Sequence, residues 1–172
     1  MNKFPNLFKP SHLVATLFGI GLLPLAPGTW GSLFGLILFF FTGIYLSISQ
    51  TSFFILLVLI IFSTFLICYF ASKELSDDDK DQKSIVIDEL AGLWVAFIPV
   101  SGIVMMKEFL IYSFLAFFYF RLFDIWKPYP INLVDENIKN YYGIVLDDLL
   151  AGFYAAILVT LTSLLFSPSI LF

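Results

Sequence analysis

The chain has 172 residues, of which 60% are hydrophobic and 13% charged, with 22 Phe and a net charge of −4. Apolar content of that density exceeds what a soluble core of this size can bury, so the composition excludes an ordinary soluble domain and describes an integral membrane protein. The single cysteine, Cys68, lies inside an apolar run, which excludes a disulfide framework and a Cys-based metal site and leaves it a small buried hydrophobe.

A bilayer crossing takes roughly 20 apolar residues. The first apolar stretch, residues 13–25, is too short, ends at Pro24 and Pro27, and lacks the n-region and cleavage pattern of a signal peptide. It reads as an interfacial or re-entrant helix. Five spans follow, at about residues 32–48, 53–71, 86–106, 109–123 and 149–166, the fourth short enough to be tilted or shallow. The expected fold is therefore an all-α polytopic membrane bundle of about five transmembrane helices in a single domain, residues 1–172. Gly35, Gly43, Gly92 and Gly152 are its candidate points of close helix packing, or simply tolerated glycines. Residues 73–84, with an acidic run from Asp77 to Asp81, read as a solvated hairpin too short to enclose a second core, and residues 132–142 as a loop with a short amphipathic helix on the membrane.

If the first stretch does not cross and the five spans do, Lys3, Lys9, Lys73, Lys80, Lys83, Arg121, Lys127 and Lys139 share one side and only Lys107 lies on the other. Excess Lys and Arg marks the cytoplasmic face, and Asp and Glu weigh little in that rule. The net charge consequently says little about partners. Residues 167–172 would end on the far side.

Four polar segments interrupt the apolar pattern, and this topology brings all of them to the same face. In P-G-T-W-G-S (Pro27 to Ser32), Pro and Gly suit a tight turn, Thr29 or Ser32 can cap the helix that follows, and the free N–H groups of its first turn can cradle phosphate; an ordinary loop and cap is the plainer reading. The segments S-I-V-I-D-E-L-A-G (Ser84 to Gly92) and G-I-V-L-D-D-L-L-A-G (Gly143 to Gly152) match apart from one extra Leu. Each places an acidic pair, Asp88 with Glu89 and Asp147 with Asp148, in the first turn of an apolar helix, where the helix dipole favours it. Capping needs only one acid, whereas four carboxylates at a lipid boundary repel unless a cation lies between them, and clustered oxygens suit Mg²⁺ or Mn²⁺. In F-R-L-F-D-I-W-K-P-Y-P (Phe120 to Pro130), Arg121, Asp124 and Lys127 can share a helix face before the prolines stop it. One reading is an ion pair with a snorkelling Lys, with Trp126 and Tyr129 as interfacial anchors. The other is a phosphate site built on the guanidinium and the ammonium.

Absences narrow the chemistry. His12 is the one histidine, no Arg stands six residues after Cys68, and neither D-x-D-x-T nor an assignable Ser-His-Asp triad is present. Carboxylate-borne, metal-dependent phosphate chemistry is what remains. Over almost its whole length the chain resembles the phosphatidylglycerophosphatase A family of bacterial membrane enzymes, through F-G-I-G-L-L-P-L-A-P-G-T-W-G-S (Phe18 to Ser32), D-E-L-A-G-L-W (Asp88 to Trp94), F-R-L-F-D-I-W-K-P-Y-P-I (Phe120 to Ile131) and G-I-V-L-D-D-L-L-A-G (Gly143 to Gly152). The acidic loop at residues 76–81 departs from the family pattern without touching these positions.

The resemblance implies Mg²⁺-dependent hydrolysis of phosphatidylglycerophosphate to phosphatidylglycerol, in anionic phospholipid synthesis, at the cytoplasmic face of the bacterial inner membrane. The partners expected are that substrate and membrane lipids, with no nucleic acid. On this reading Asp88, Glu89, Asp147 and Asp148 ligate the metal or orient water, and Arg121 and Lys127 hold the phosphoryl oxygens. Thr29 and Ser32 complete the cradle, and Asp124 is a general base, a further ligand or a nucleophile. The alternatives are a phosphatase for another lipid phosphate and a transporter using the same carboxylates as a cation path. The span centres, such as F-G-L-I-L-F-F-F, offer a path no polar residues.

Overall fold

The computed structural model describes residues 5–73 and 83–166, and every regular element among them is helical. Four helices are long and apolar enough to cross a membrane: α2 (Pro27–Phe40, continued by a π-helical turn, Phe41–Tyr45), α3 (Gln50–Ser72), α5 (Met106–Trp126) and α7 (Tyr141–Phe166). The short helix α1 (Pro10–Ala15) precedes them, and the short helices α4 (Ile87–Ala96) and α6 (Ile131–Asn137) lie between them. The all-helical membrane bundle expected from the sequence is thus observed, with the third of its five expected spans built differently. Most of the 73–84 hairpin, including the acidic run, and all of residues 167–172 lie outside the described residues.

That third span is a ten-residue helix followed by a 3₁₀ turn, Ile98–Val100, in place of one continuous helix. Pro99 in the turn has no N–H to continue an α-helical ladder. Irregular backbone is tolerable at membrane depth where it is buried in protein or lines a cavity: every residue from Leu90 to Phe97 is buried, and Ile98 and Pro99 of the turn are half-buried and line a second cavity with Gly102 and Ile103. The segment still passes from one end of the bundle to the other. At its start Glu89 meets the N-terminus of α2, and at its end a Cβ on Gly102 would come 3.2 Å from the Gln50 side chain, which opens α3. Helices α2, α3, α4, α5 and α7 therefore alternate in direction around α4.

The other boundaries shift for local reasons. Helix α5 runs 21 residues rather than a short 109–123 segment, because Arg121 and Asp124 neutralise each other inside it. Helix α7 begins at Tyr141, so Asp147 and Asp148 occupy its second turn, not its first. Helix α2 starts at Pro27, a residue suited to the first helical position. Its N-cap is Ala26, without a side-chain hydrogen bond, so Thr29 and Ser32 lie inside the helix and do not cap it. The N-terminal stretch is α1 plus a 3₁₀ turn, Ile20–Leu22, folded over the start of α4, where the Val86 N–H donates to the Ala15 carbonyl at 2.9 Å. It does not span. The short helix expected within residues 132–142 is α6.

Two close approaches set the bundle's geometry. Where α4 crosses α7, a Cβ on Gly92 would lie 2.5 Å from the Asp148 carbonyl oxygen, and one on Gly152 would collide with the Gly92 carbonyl. Only small residues allow helix backbones so near each other. Below this crossing, Phe39 stacks on Phe97 with centroids 4.0 Å apart, Phe53 stacks on Trp94 at 5.8 Å, and the Trp94 indole N–H donates to the Gly35 carbonyl at 3.1 Å. Rings with their polar handle satisfied make a well-specified core.

Gly92→Val should therefore lower stability by about 2–3 kcal/mol, as expected for overpacking against backbone. Gly35→Ala, whose Cβ would meet only the end of the Leu93 side chain at 3.3 Å, should cost well under about 1 kcal/mol by the same principle. Thermal unfolding of the detergent-solubilised variants measures both.

Candidate active site

All four polar segments converge at one end of the bundle, around a pocket of about 950 Å³. Its floor is acidic. Asp88, Glu89 and Asp148 each turn a carboxylate oxygen toward the others, and the three oxygens lie within 4.8 Å of one another. Asp88 and Asp148 are buried, and Asp88 Oδ1 and Glu89 Oε2 have no hydrogen-bond partner among the described residues.

The backbone explains why these three meet. Asp88 precedes Gly92 by four residues and Asp148 precedes Gly152 by four. The two glycines fix the crossing of α4 and α7, so each aspartate sits one turn above it, facing the partner helix. The repeat thus aligns Asp88 with Asp148. Asp147, one position earlier, points about 100° away around the helix, and its carboxylate accepts from Lys127 Nζ at 2.7 Å. Glu89 reaches the cluster by its longer side chain, past Gly28 at the start of α2, where any Cβ would strike the Glu89 carboxylate. The positive end of α2 stands over that carboxylate.

Arg121 forms the adjoining wall. One terminal nitrogen donates to Asp124 Oδ2 at 2.5 Å and to Ser32 Oγ at 3.3 Å, and the other to Thr29 Oγ1 at 3.3 Å. The Ser32 hydroxyl itself donates to the Gly28 carbonyl at 2.9 Å. Thr29 and Ser32 therefore act on the guanidinium, orienting it, and lie one layer behind the pocket surface. Buried Arg121 Nε keeps a donor without a partner among the described residues. Asp124 lies within electrostatic reach of both Glu89 and Asp148.

Lys127 caps the C-terminus of α5 in a left-handed conformation, φ 45°. Its ammonium bridges Asp147 of α7 and Asp135 of α6, each at 2.7 Å. Burial alone would lower its pKa, but the hydrogen bonds to Asp135 and Asp147 outweigh that and hold it above the ordinary lysine value. Two of its three donors are thus engaged, leaving one for the pocket it lines.

Of the nine residues expected from the sequence, Asp88, Glu89 and Asp148 form the carboxylate cluster, with Arg121 and Asp124 beside them. Lys127 and Asp147 pair at one wall, and Thr29 and Ser32 stand behind Arg121. The sequence reading missed Asp135, which has no fixed spacing from Lys127, and Gly28, whose role is steric. The cluster suits a small divalent cation: three hard oxygen donors, two of them with unpartnered buried atoms, repel one another unless positive charge lies between them.

A polytopic helical membrane protein with a pocket of paired acids and a buried guanidinium at one bundle end belongs to the class that can take an anionic, phosphate-bearing headgroup. The comparisons specify the family. The profile of the phosphatidylglycerophosphatase A family matches residues 13–163. The chain is 39% identical over 155 residues to phosphatidylglycerophosphatase A of Haemophilus influenzae, covering 90% of this chain and 89% of that one. It is 33% identical over 153 residues to phosphatidylglycerophosphatase A of Escherichia coli, covering 88% and 82%. A candidate phosphatidylinositol-3-phosphatase of Bacteroides thetaiotaomicron is 34% identical over 155 residues, covering 88% and 94%. No solved structure matches. The chain belongs to the phosphatidylglycerophosphatase A family and is an enzyme, a phosphatase.

Lys127→Met would leave two carboxylates without their shared cation, one of them, Asp147, buried. Stability should fall by about 1–3 kcal/mol, and Asp147→Asn in the same chain should restore part of it, the mark of a coupled pair. A double-mutant cycle of thermal unfolding in detergent reads both effects.

Proposed function

We propose that this enzyme hydrolyses the terminal phosphomonoester of phosphatidylglycerophosphate, giving phosphatidylglycerol and inorganic phosphate, as a step in anionic phospholipid synthesis. The observation that carries the reading is the convergence of the Asp88, Glu89 and Asp148 carboxylates beside Arg121, in a pocket at the end of an apolar bundle. Substrate identity rests on the two relatives of that name. The bundle end holding the pocket carries Lys83, Arg121, Lys127 and Lys139, which supports a cytoplasmic orientation and, with bacterial relatives, the inner membrane. Lipid tails then stay in the leaflet while the headgroup reaches the acids.

Asp88, Glu89 and Asp148 would hold Mg²⁺, which supplies Lewis-acid charge at the phosphoryl group. The chain's own groups do the rest. Arg121, oriented by Thr29, Ser32 and Asp124, offers planar donors to the phosphoryl oxygens, whose charge spreads in the transition state. Lys127 adds a fixed positive charge from the opposite wall. Asp124, beside the guanidinium, accepts the proton of the attacking water, the ester P–O bond breaks as the new one forms, and the departing glycerol oxygen takes a proton from solvent water at the open pocket to leave as the alcohol. The buried Leu93, Trp94 and Phe97 beneath the cluster exclude water and deny the acids a polar route to the other end of the bundle, which argues against a cation path. The Bacteroides relative favours one second reading, a phosphoinositide monoester in the same pocket.

Purified protein in neutral detergent should release phosphate from phosphatidylglycerophosphate with Mg²⁺ and lose that activity in excess EDTA; release unaffected by EDTA would overturn the metal assignment. Asp88→Asn, Glu89→Gln and Asp148→Asn should each weaken Mn²⁺ binding, followed by electron paramagnetic resonance, by about tenfold or more, whereas Asp147→Asn should weaken it far less. Asp124→Asn should lower kcat by about 100-fold or more at nearly unchanged KM, as removal of a general base does.

A further inference from the structure

Three carboxylates and Arg121 account for the floor of the pocket, yet a cavity of about 950 Å³ is far larger than one phosphoryl group needs. Its outer part is lined differently. Lys83, from the segment entering α4, and Lys139, from the segment entering α7, both line the cavity, and both are exposed. Neither makes an ion pair among the described residues, in contrast to Arg121 and Lys127. Lys139 precedes α7, and Asp148 lies seven residues into that helix from Tyr141, so the two levels are separated by about 10 Å along the axis at 1.5 Å per residue. Ile85, Ile125, Ile138 and Ile144 line the same cavity, and of its carboxylates Asp135 and Asp147 are already held by Lys127 and Asp124 by Arg121.

We infer that Lys83 and Lys139 form a second anion-binding level that takes the phosphodiester of a lipid headgroup while its terminal phosphomonoester lies on the acidic floor. The inference rests on the proposed function and adds the specificity element: the enzyme measures two phosphates one glycerol apart. Two exposed ammonium groups with no ion-pair partner among the described residues, lining a pocket whose floor is negative, have an anion as their natural counter-charge, and the isoleucines of the lining suit the uncharged carbons linking the two phosphates. The diester is unchanged in the reaction, so its binding is the same in ground and transition states. Such contacts lower KM without raising kcat. The product, phosphatidylglycerol, keeps the diester and loses the monoester, so the change in its inhibition constant between wild type and lysine variants reports this level without the contacts of the monoester.

The test measures KM and kcat for phosphatidylglycerophosphate, and the inhibition constant for phosphatidylglycerol, in neutral detergent micelles. The proteins are the wild type, Lys83→Gln, Lys139→Gln, the double variant, and Lys73→Gln, a lysine at the same end of the bundle that lies over the Tyr69 ring and does not line the pocket. The expected result is that the double variant raises both KM and the inhibition constant about tenfold with kcat within about twofold, while Lys73→Gln changes none of them. Unchanged constants in the double variant, an equal rise in Lys73→Gln, or absence of inhibition by phosphatidylglycerol in the wild type would each overturn the second level. A wild-type protein that releases no phosphate from phosphatidylglycerophosphate would instead overturn the proposed function, and the two failures are distinct.

Discussion

The contact between the backbones of α4 and α7 at Gly92 and Gly152 sets the positions of Asp88 and Asp148, around which the other charged groups of the site gather. Acidic side chains repel and are costly to bury, so they gather only where the covalent scaffold leaves them no other place. A pair of helices in backbone contact does this: the residue four before each glycine sits one turn above the crossing and faces the other helix. Asp88 and Asp148 are those residues. The α2 N-terminus, brought in by Gly28, then adds a partial positive charge above Glu89, and Arg121 from α5 closes the group. Remove the close crossing and the carboxylates would separate toward the headgroup region.

This arrangement also gives the short α4 its purpose. Four helices of 19 to 26 residues traverse the bundle, while α4 supplies ten residues and a 3₁₀ turn in their midst. With nearly all of its residues buried, α4 needs little lipid-facing surface and less than the full membrane thickness. It can place Asp88 and Glu89 below the rim formed by its longer neighbours, at the bottom of a pocket. A full-length helix in the same place would carry those acids out to the rim.

Much of this was legible in the sequence, for reasons that differ by feature. The apolar lengths gave the membrane bundle, the repeated segments ending in Ala-Gly offered Gly92 and Gly152 among the candidate packing points, and the four polar segments identified one face. The structure divides the acidic residues differently from the sequence reading, because the eye pairs D-E with D-D, whereas the geometry counts back from glycine and sets Asp147 apart. Pro99 was visible, but nothing local showed that the third span would be enclosed and could therefore break. Thr29 and Ser32 do not cap α2, because Pro27 starts the helix earlier than the turn-like P-G-T suggested. Asp135 left no trace, since its partner is eight residues away across a proline-bounded turn. Contacts that depend on how separate segments dock carry no periodic signature.

The aromatic layer beneath the acids, with Phe39 against Phe97 and Phe53 against Trp94, puts an apolar barrier between the pocket and the far end of the bundle. For a two-tailed lipid phosphate the consequence would be topological: a headgroup that meets such a barrier has no polar way through the core, so loss of its phosphate would change surface charge only on the side from which it entered.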